Sequence, residues 1–198
     1  INENQNILMI RSFVNDLKGK LETFRTLNNN EIRKLNDIAK KYNIKYQNKH
    51  KLDLVDEILS NVDVIPNSIV LAQAAIESGW GKSRFAKEYN ALFGEYTYDD
   101  SEGVIPLERE NGDTHLIKAF SSYSNSVESY FDNINSHYAY EEFRDIRNIM
   151  RKRNNFSNVN LLVNKLSTYA EDENYIKTIR QVIKTNNFSI FDQKTISY

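Results

Sequence analysis

The sequence predicts a mainly helical protein with a small β lobe, which places it in the α+β class. Apolar residues recur at three- and four-residue steps over most of the 198 residues, which is the spacing of one helix face. Between Glu95 and Phe120 this spacing is lost. There the turn dipeptide Asn111-Gly112 precedes an apolar stretch from Thr114 to Phe120 that suits a strand. We therefore expect a β-hairpin lobe inserted into one helical unit.

Three amphipathic helices are predicted at the start of the chain. The first covers Ile7 to Leu27, the second is capped by Asn30 and reaches Tyr42, and the third runs from about Leu52 to Leu59. Their apolar stripes carry no group of reactive side chains, so we interpret them as scaffold. We assign residues 1–60 to an N-terminal helical extension packed on the body, and residues 61–198 to the domain with the candidate site.

The next helix is predicted to be buried and to carry a candidate acid. Pro66-Asn67-Ser68 is a helix-start signal, and the residues that follow are small and apolar on all sides up to Glu77, until Gly79 and Gly81 end the helix. Burial and the negative end of the helix dipole both favour the protonated form of a carboxyl group. Glu77 therefore suits a general acid, with Trp80 as an apolar wall beside it. The alternative is a solvated glutamate at a helix end.

Further helices are predicted after the hairpin. A first one starts near Asn125, with Glu128 three residues later as in a capping box. The helical pattern continues through Tyr130–Asn135, Tyr140–Arg151, Val159–Tyr169 and Tyr175–Thr185, and Phe188 and Phe191 are expected to attach the C-terminus to the body. One helix face carries Arg144, Arg147 and Arg151. We interpret it as a solvated face, with contact to anionic glycan as the alternative.

Composition excludes several classes of function. A formal charge of −1 gives no basic excess for nucleic acid, and no apolar run has the length of a membrane span. The chain has no cysteine, and His50, His115 and His137 lack the spacing of a metal site. We expect no metal and no cofactor. Because the chain begins at Ile1 rather than Met, we expect a processed or trimmed product, so that the missing signal peptide does not argue against export.

A longer motif resembles a known family of enzymes. The residues from Ala72 to Ser83 read AQAAIESGWGKS, and Phe85-Ala86 and the stretch Asn90 to Gly94 follow. They resemble the signature of the family 73 glucosaminidases, and most closely that of its bacterial Bax-like branch. Similar elements occur later in the chain, at Pro106–Arg109, at Phe120–Tyr123 with Ser126-Val127, and at Tyr169–Tyr175, where Glu173 replaces a proline of the family.

The resemblance implies a fold and an activity. The fold is expected to be lysozyme-like, with a helical body, a small β-hairpin lobe and a cleft between them, so that residues 61–198 form a glucosaminidase domain. The family cleaves the β-1,4 bond after N-acetylglucosamine in peptidoglycan. This implies a glycoside hydrolase of the bacterial cell envelope, periplasmic or secreted, that acts on glycan strands with Glu77 as general acid. We expect a monomer.

The resemblance also implies further site residues. A second acid is expected on the β lobe, with Glu108 as the first choice; its rivals are Glu110, Glu102, Asp99 and Asp100. Tyr169 and Tyr175 are predicted catalytic tyrosines, whose phenols would hold the acetamido group or orient water. The predicted substrate-binding residues are Gln73, Trp80, Phe93, Tyr96 and His137, and Tyr98 and Tyr123 are additional candidate sugar platforms.

Two other functions are compatible with the motif. A lytic transglycosylase on the same fold would act at N-acetylmuramic acid and would need one catalytic acid. A non-catalytic glycan-binding module of the envelope is the other alternative. The Glu-Ser-Gly-Trp-Gly run from Glu77 argues against such a module, because a binding protein does not need a protonated carboxyl group there.

Overall fold

The computed structural model describes residues 1–106, 114–155, 158–170 and 172–192. Within these residues the chain is mainly helical with a small sheet, as the sequence predicts. The helices are α1 (Asn2–Glu22), α2 (Asn29–Lys41), α3 (Lys51–Asn61), α4 (Asn67–Glu77), α5 (Arg84–Tyr89), α6 (Tyr123–Ser136), α7 (Glu141–Lys152), α8 (Val159–Val163) and α9 (Tyr175–Thr185). Three 3-10 turns cover Tyr138–Tyr140, Ser167–Tyr169 and Phe188–Phe191.

The β lobe is a three-stranded antiparallel sheet of β1 (Tyr96–Thr97), β2 (Gly103–Val104) and β3 (Leu116–Lys118). The strand β3 lies in the middle and pairs with both others. Gly103 is required in β2, because a Cβ there would lie 2.5 Å from the Cβ of Leu116. The predicted strand is thus present but shorter than expected, and the predicted turn at Asn111-Gly112 lies outside the described residues.

One hydrophobic core unites the N-terminal helices with the rest of the chain. Burial of apolar surface is the main force that holds such a core together. α1 packs along α3, and α4 packs against α9 and the last 3-10 turn. The core includes Ile7, Val14, Leu35, Ala39, Ile58, Ile69, Ala72, Phe131, Phe143 and Ile179. The division into an N-terminal extension of residues 1–60 and a domain of residues 61–198 stays a prediction.

The first turn of α4 is capped by a residue from the C-terminal part of the chain. Pro66 occupies the N-cap position and makes no side-chain cap. Instead, the backbone N–H of Ser68 donates to Oδ1 of Asp192 at 2.8 Å, and its hydroxyl donates to Oδ2 at 2.7 Å. The Asn67 amide donates to the Phe191 carbonyl at 2.8 Å. A carboxylate at this end of the helix also meets the positive end of the helix dipole.

Several predicted helix ends differ from the observed ones. The helix predicted for Val159–Tyr169 ends at Val163, and the 3-10 turn Ser167–Tyr169 follows it. α1 ends five residues early because Phe24 adopts a left-handed backbone, and its ring, predicted to be in the apolar stripe, is 98% exposed. The N-cap of α2 is Asn28 rather than Asn30, and it forms a capping box with Glu31. The N-cap of α6 is Ser122 rather than Asn125, because the Asn125 N–H donates to the Ser122 hydroxyl.

The interpretation of the arginine face on α7 as solvated is wrong. Arg147 is completely buried and Arg144 is 6% exposed. The Arg144 guanidinium donates to the carbonyls of Ile134 at 3.0 Å and His137 at 2.7 Å. A buried guanidinium has to find acceptors for its N–H groups, since an unpaired one costs free energy. Arg144 therefore fixes the connection between α6 and α7.

Arg147 and Arg151 belong to a cluster around the buried carboxylate of Asp63, which we call the Asp63 cluster (Asp63, Arg11, Arg147, Arg151). Nε of Arg151 donates to Asp63 Oδ2 at 2.8 Å, and Nε of Arg11 lies 3.4 Å from Oδ1. Arg147 donates to the Asp63 carbonyl at 3.0 Å. Arg11 comes from α1 and the other two arginines from α7, so the cluster ties α1 and α7 to the segment before α4.

Candidate active site

Glu77 is the last residue of α4 and is partly buried. A tight turn follows it, in which Gly79, Trp80 and Gly81 have φ angles of 56°, 59° and 71°. Glycine adopts this left-handed backbone freely, whereas a bulky residue such as tryptophan rarely does. The Ser78 side chain secures the turn, since it donates to the Ala74 carbonyl and accepts from the Gly81 N–H at 2.7 Å. Unfavourable backbone at one residue often marks a functional site.

A chain of hydrogen bonds leads from the core to Glu77. The Tyr130 hydroxyl donates to Oε1 of Gln73 at 2.5 Å. Nε2 of Gln73 donates to the Tyr175 hydroxyl oxygen at 2.9 Å. The Tyr175 hydroxyl then donates to Oε1 of Glu77 at 2.7 Å. Gln73 lies one helical turn before Glu77, so α4 presents both side chains on one face.

The surroundings of Glu77 favour its protonated form. Burial raises the pKa of Glu77 above its ordinary value, and the hydrogen bond from Tyr175 opposes part of that rise. Burial and the charge of Glu77 raise the pKa of Tyr175, so its phenol stays neutral and keeps a proton to donate. The pair is thus a carboxyl group whose pKa is raised by burial and a neutral donor that fixes it.

Tyr169 lies beside Tyr175 without joining the hydrogen-bond chain. The two rings stack with centroids 5.9 Å apart and an angle of 4° between their planes. The Tyr169 hydroxyl donates to the backbone carbonyl of Phe93 at 3.0 Å. Tyr169 therefore supports the face of Tyr175 and holds the segment that leads into the β lobe.

Two predicted substrate-binding residues are buried. Gln73 is 0% exposed and Phe93 is 3% exposed. The Phe93 ring stacks on that of Tyr130 at 4.2 Å. Neither side chain offers a surface to a sugar. Gln73 instead acts as a link between two tyrosines, and the ring of Phe93 belongs to the core.

The other three predicted substrate-binding residues are accessible. Trp80 is 56% exposed, with its ring centroid 6.5 Å from that of Phe188. Tyr96 in β1 is 65% exposed, and its ring lies 4.2 Å from His115. His137 is exposed at the end of α6. Of the three, Trp80 is the nearest to Glu77 along the chain, since it lies in the turn that follows Glu77.

The preferred second acid, Glu108, lies outside the described residues, as does Glu110. The remaining rivals, Glu102, Asp99 and Asp100, are exposed, and the first two have local partners. Glu102 lies 3.6 Å from Nζ of Lys118. Asp99 accepts hydrogen bonds from Ser101, which lower its pKa. A lowered pKa suits an ionised carboxylate.

Sequence reasoning did not single out Glu95, which the structure distinguishes from the other acids of the lobe. Its Oε2 accepts a hydrogen bond from the Ser129 hydroxyl at 2.9 Å, whereas Oε1 is buried with no hydrogen-bond partner among the described residues. Burial raises the pKa of Glu95 to about 7, against the opposing effects of Ser129 and Lys118. Such a shift, caused mainly by burial, is typical of functional sites.

Glu95 lies in the same neighbourhood as Glu77. Burial raises the pKa of Tyr140 to about 12, and the negative charges of Glu95 and Glu77 both contribute to that rise. Glu95 directly follows the Asn90–Gly94 stretch of the motif. This position was the signal in the sequence that could have identified it, since burial of a single glutamate leaves no periodic pattern.

In the part of the chain that the structure describes, no three His, Asp or Glu side chains are grouped to hold a metal ion. None of the described helices combines the length and the apolar character needed to cross a bilayer.

Comparisons with known proteins identify related sequences. The model of the Glucosaminidase family, described as mannosyl-glycoprotein endo-beta-N-acetylglucosaminidase, matches residues 52–188. Protein bax of Escherichia coli K12 is 35% identical over 137 residues, which cover 69% of this chain and 48% of that protein. Peptidoglycan hydrolase FlgJ of Escherichia coli O157:H7 is 35% identical over 92 residues, covering 41% of this chain and 29% of FlgJ. The chain thus spans half or less of the length of these relatives.

A solved structure shares the fold. The catalytic domain of the autolysin Auto from Listeria monocytogenes matches with a TM-score of 0.50 over 97% of both chains, at 18% sequence identity. At this identity the likeness concerns the fold alone. With the helical body and the small antiparallel sheet, it confirms the predicted fold class.

Proposed function

The chain belongs to the Glucosaminidase family, and we propose that it hydrolyses a glycosidic bond of peptidoglycan. The bond is the β-1,4 bond after N-acetylglucosamine, and Glu77 is the general acid. Membership confirms the resemblance to family 73 and supports the predicted class of enzyme, a glycoside hydrolase. One observation carries the proposal for the site. Glu77, within the motif, ends a buried helix, has a raised pKa and accepts a hydrogen bond from a neutral phenol.

The chemistry of this arrangement suits cleavage of a glycosidic bond. The leaving sugar oxygen needs a proton as the bond to the anomeric carbon breaks. A carboxyl group with a raised pKa holds this proton to a higher pH than an ordinary solvated glutamate does. Tyr175 keeps the carboxyl group in one orientation. Trp80, exposed in the adjoining turn, is the proposed platform for a sugar ring.

Attack on the anomeric carbon has two possible sources in this family of reactions. A second carboxylate can activate water, or the acetamido group of the substrate can participate. Glu108 stays our proposed second acid, with Glu95 as an addition from its burial and raised pKa. In either case Glu77 delivers the proton.

The proposed substrate sets the place of action. FlgJ, a relative by sequence, is named a peptidoglycan hydrolase, which supports peptidoglycan as the polymer that this chain cleaves. Peptidoglycan lies outside the cytoplasmic membrane, so we propose action in the bacterial envelope, periplasmic or secreted. The proposed form is a monomer.

Digestion of purified peptidoglycan tests this proposal. Mass spectrometry should find fragments with a reducing N-acetylglucosamine end. Fragments with anhydro-N-acetylmuramic acid would instead identify a lytic transglycosylase, and an undigested polymer that still binds the protein would identify a binding module.

The matched variant is Glu77→Gln, which keeps the size of the side chain and cannot deliver a proton. General acid catalysis contributes about 10²–10⁴-fold, so product release should fall by at least about 10²-fold. The melting temperature should stay equal or rise, because a neutral amide replaces a partly buried ionisable group. Activity within a few-fold of the parent would exclude Glu77 as the acid.

A further inference from the structure

We propose that Gln73 and Tyr130 are positioning residues that act through Tyr175 to reserve Oε1 of Glu77 as a hydrogen-bond acceptor, so that Oε2 carries the catalytic proton. The inference rests on the proposed function in one respect, the use of that proton on a glycosidic oxygen. The hydrogen-bond arrangement itself is independent of the substrate. Gln73, which the sequence suggested as a sugar ligand, thereby positions Glu77 through Tyr175 and does not contact the sugar.

The direction of the chain is set at Gln73. Its carbonyl oxygen accepts the Tyr130 proton, so its amide nitrogen faces Tyr175 and can only donate there. The Tyr175 oxygen is thereby used as an acceptor. Its single proton is left for Glu77, to which the hydroxyl donates at 2.7 Å. Three consecutive bonds therefore point the same way, from the core to the carboxyl group.

Burial makes this direction stable. Gln73 and Tyr130 are 0% exposed and Tyr175 is 3% exposed, so water does not compete for their polar groups. Reversal would require the amide of Gln73 to turn over. Its nitrogen would then donate to the Tyr130 oxygen, and the buried Tyr130 proton would lose the acceptor that it has at Gln73. Inside a protein such chained hydrogen bonds strengthen one another, and an unpaired member is costly.

The two oxygens of Glu77 consequently differ. Oε1 accepts the hydrogen bond from the Tyr175 hydroxyl. If Oε1 also carried the acid proton, that proton would face a hydroxyl that is already donating. Oε2 accepts no hydrogen bond from the described residues and is not among their buried unpartnered atoms. It is therefore the oxygen that solvent or a ligand can reach. The acid proton is held on the accessible oxygen before any substrate binds.

Three variants break the chain at successive links. Tyr175→Phe removes the donor to Glu77. Gln73→Glu offers only acceptor oxygens when ionised, so the Tyr175 proton turns away from Glu77. Tyr130→Phe removes the group that fixes the Gln73 amide, which is then free to turn over. Each change deprives Glu77 of a donor, in full or in part.

The readout is the pKa of Glu77 itself, measured by carbon-13 NMR of the glutamate carboxyl carbons in the free protein. Loss of one hydrogen bond should raise this pKa by roughly half to one unit. We expect such a rise in Tyr175→Phe, a larger one in Gln73→Glu because a negative charge is added, and a smaller one in Tyr130→Phe. The alkaline limb of the pH–rate profile should shift to higher pH, and the size of the shift should follow the same order.

Matched controls lie outside the chain. Gln181→Glu adds the same charge at an exposed position of α9, and Tyr42→Phe removes a buried hydroxyl with no hydrogen-bond partner among the described residues. Both should leave the pKa of Glu77 at its parent value. The inference is overturned if Gln73→Glu and Tyr130→Phe, folded by circular dichroism, give the same pKa as their controls. If the pKa moves as expected but the parent releases no sugar fragments, the arrangement stands and the proposed function is wrong.

Discussion

Replacement of Asp63 by asparagine tests whether the Asp63 cluster holds the N-terminal helices to the body. The asparagine oxygen can still accept the Val64 N–H, which Asp63 Oδ1 accepts at 2.7 Å. It cannot balance the positive charges of Arg11, Arg147 and Arg151. Removing one partner of a buried ion pair costs about 3–5 kcal/mol, because the remaining charge stays buried and uncompensated. We therefore expect the free energy of unfolding to fall by about 3–5 kcal/mol, which for a chain of this size lowers the melting temperature by roughly 6–20 °C.

The assay is urea unfolding followed by circular dichroism and by tryptophan fluorescence at pH 7. Asp56→Asn is the matched control, since Asp56 lies in α3 and is half exposed, at 2.7 Å from Nζ of Lys18. An exposed pair of this kind contributes about 0–1 kcal/mol. A loss in Asp63→Asn no larger than in Asp56→Asn would refute the reasoning.

The pH dependence gives a second check on the same variant. Burial alone would raise the pKa of Asp63, but the hydrogen bond from Arg151 and the charges of Arg11 and Arg147 hold it below its ordinary value. A carboxyl group with a lowered pKa stabilises the fold above its unfolded pKa and loses that effect as the pH falls through the folded pKa. The difference between parent and variant should therefore persist from pH 7 to pH 5 and shrink only in stronger acid.

Two further predictions concern Glu95 and the turn after Glu77. Because burial raises the pKa of Glu95 to about 7, the parent should lose stability as the pH rises from about 4.5 to 7, and Glu95→Gln should not. The melting temperature of the variant minus that of the parent should thus be larger at pH 8 than at pH 5. The same difference at both pH values would contradict the burial argument. Gly81→Ala should lower the free energy of unfolding by about 1–2 kcal/mol, because its φ of 71° disfavours a Cβ. Gly19→Ala, inside α1 with open space around the added atom, should instead raise the free energy of unfolding by about 0.5–1 kcal/mol. If both substitutions lowered it, backbone conformation would not explain the effect at Gly81.

The sequence predicted most of the helices because their apolar residues follow a strict spacing. It placed the buried helix and Glu77 at its end for the same reason, since small and apolar residues surround that helix on all sides. The ends of α1, α2 and α6 were harder to predict. Competing caps such as Asn28 and Asn30, or Ser122 and Asn125, differ only in which side chain reaches a free N–H group.

Contacts between distant parts of the chain were not predictable from spacing. Arg147 lies at helical spacing from two other arginines, as on a solvated helix face. Its acceptors, including the Asp63 carbonyl, lie more than 80 positions earlier. Gln73 has its partners 57 and 102 positions later. A sequence without aligned relatives contains no signal for such pairs. The resemblance named residues of the site but not which of them touch one another.

The cap on α4 has a consequence for how the protein is made. During synthesis on a ribosome, the residues from Ser68 to Glu77 emerge long before Asp192, the acceptor for both polar groups of Ser68. Until that late residue arrives, the first turn of the helix that carries Glu77 lacks its carboxylate cap. Tyr175, the donor to Glu77, also emerges about a hundred residues after its acceptor. A chain released before Tyr175 would therefore lack both supports of the carboxyl group, and synthesis at least as far as Asp192 is a condition for assembling the site.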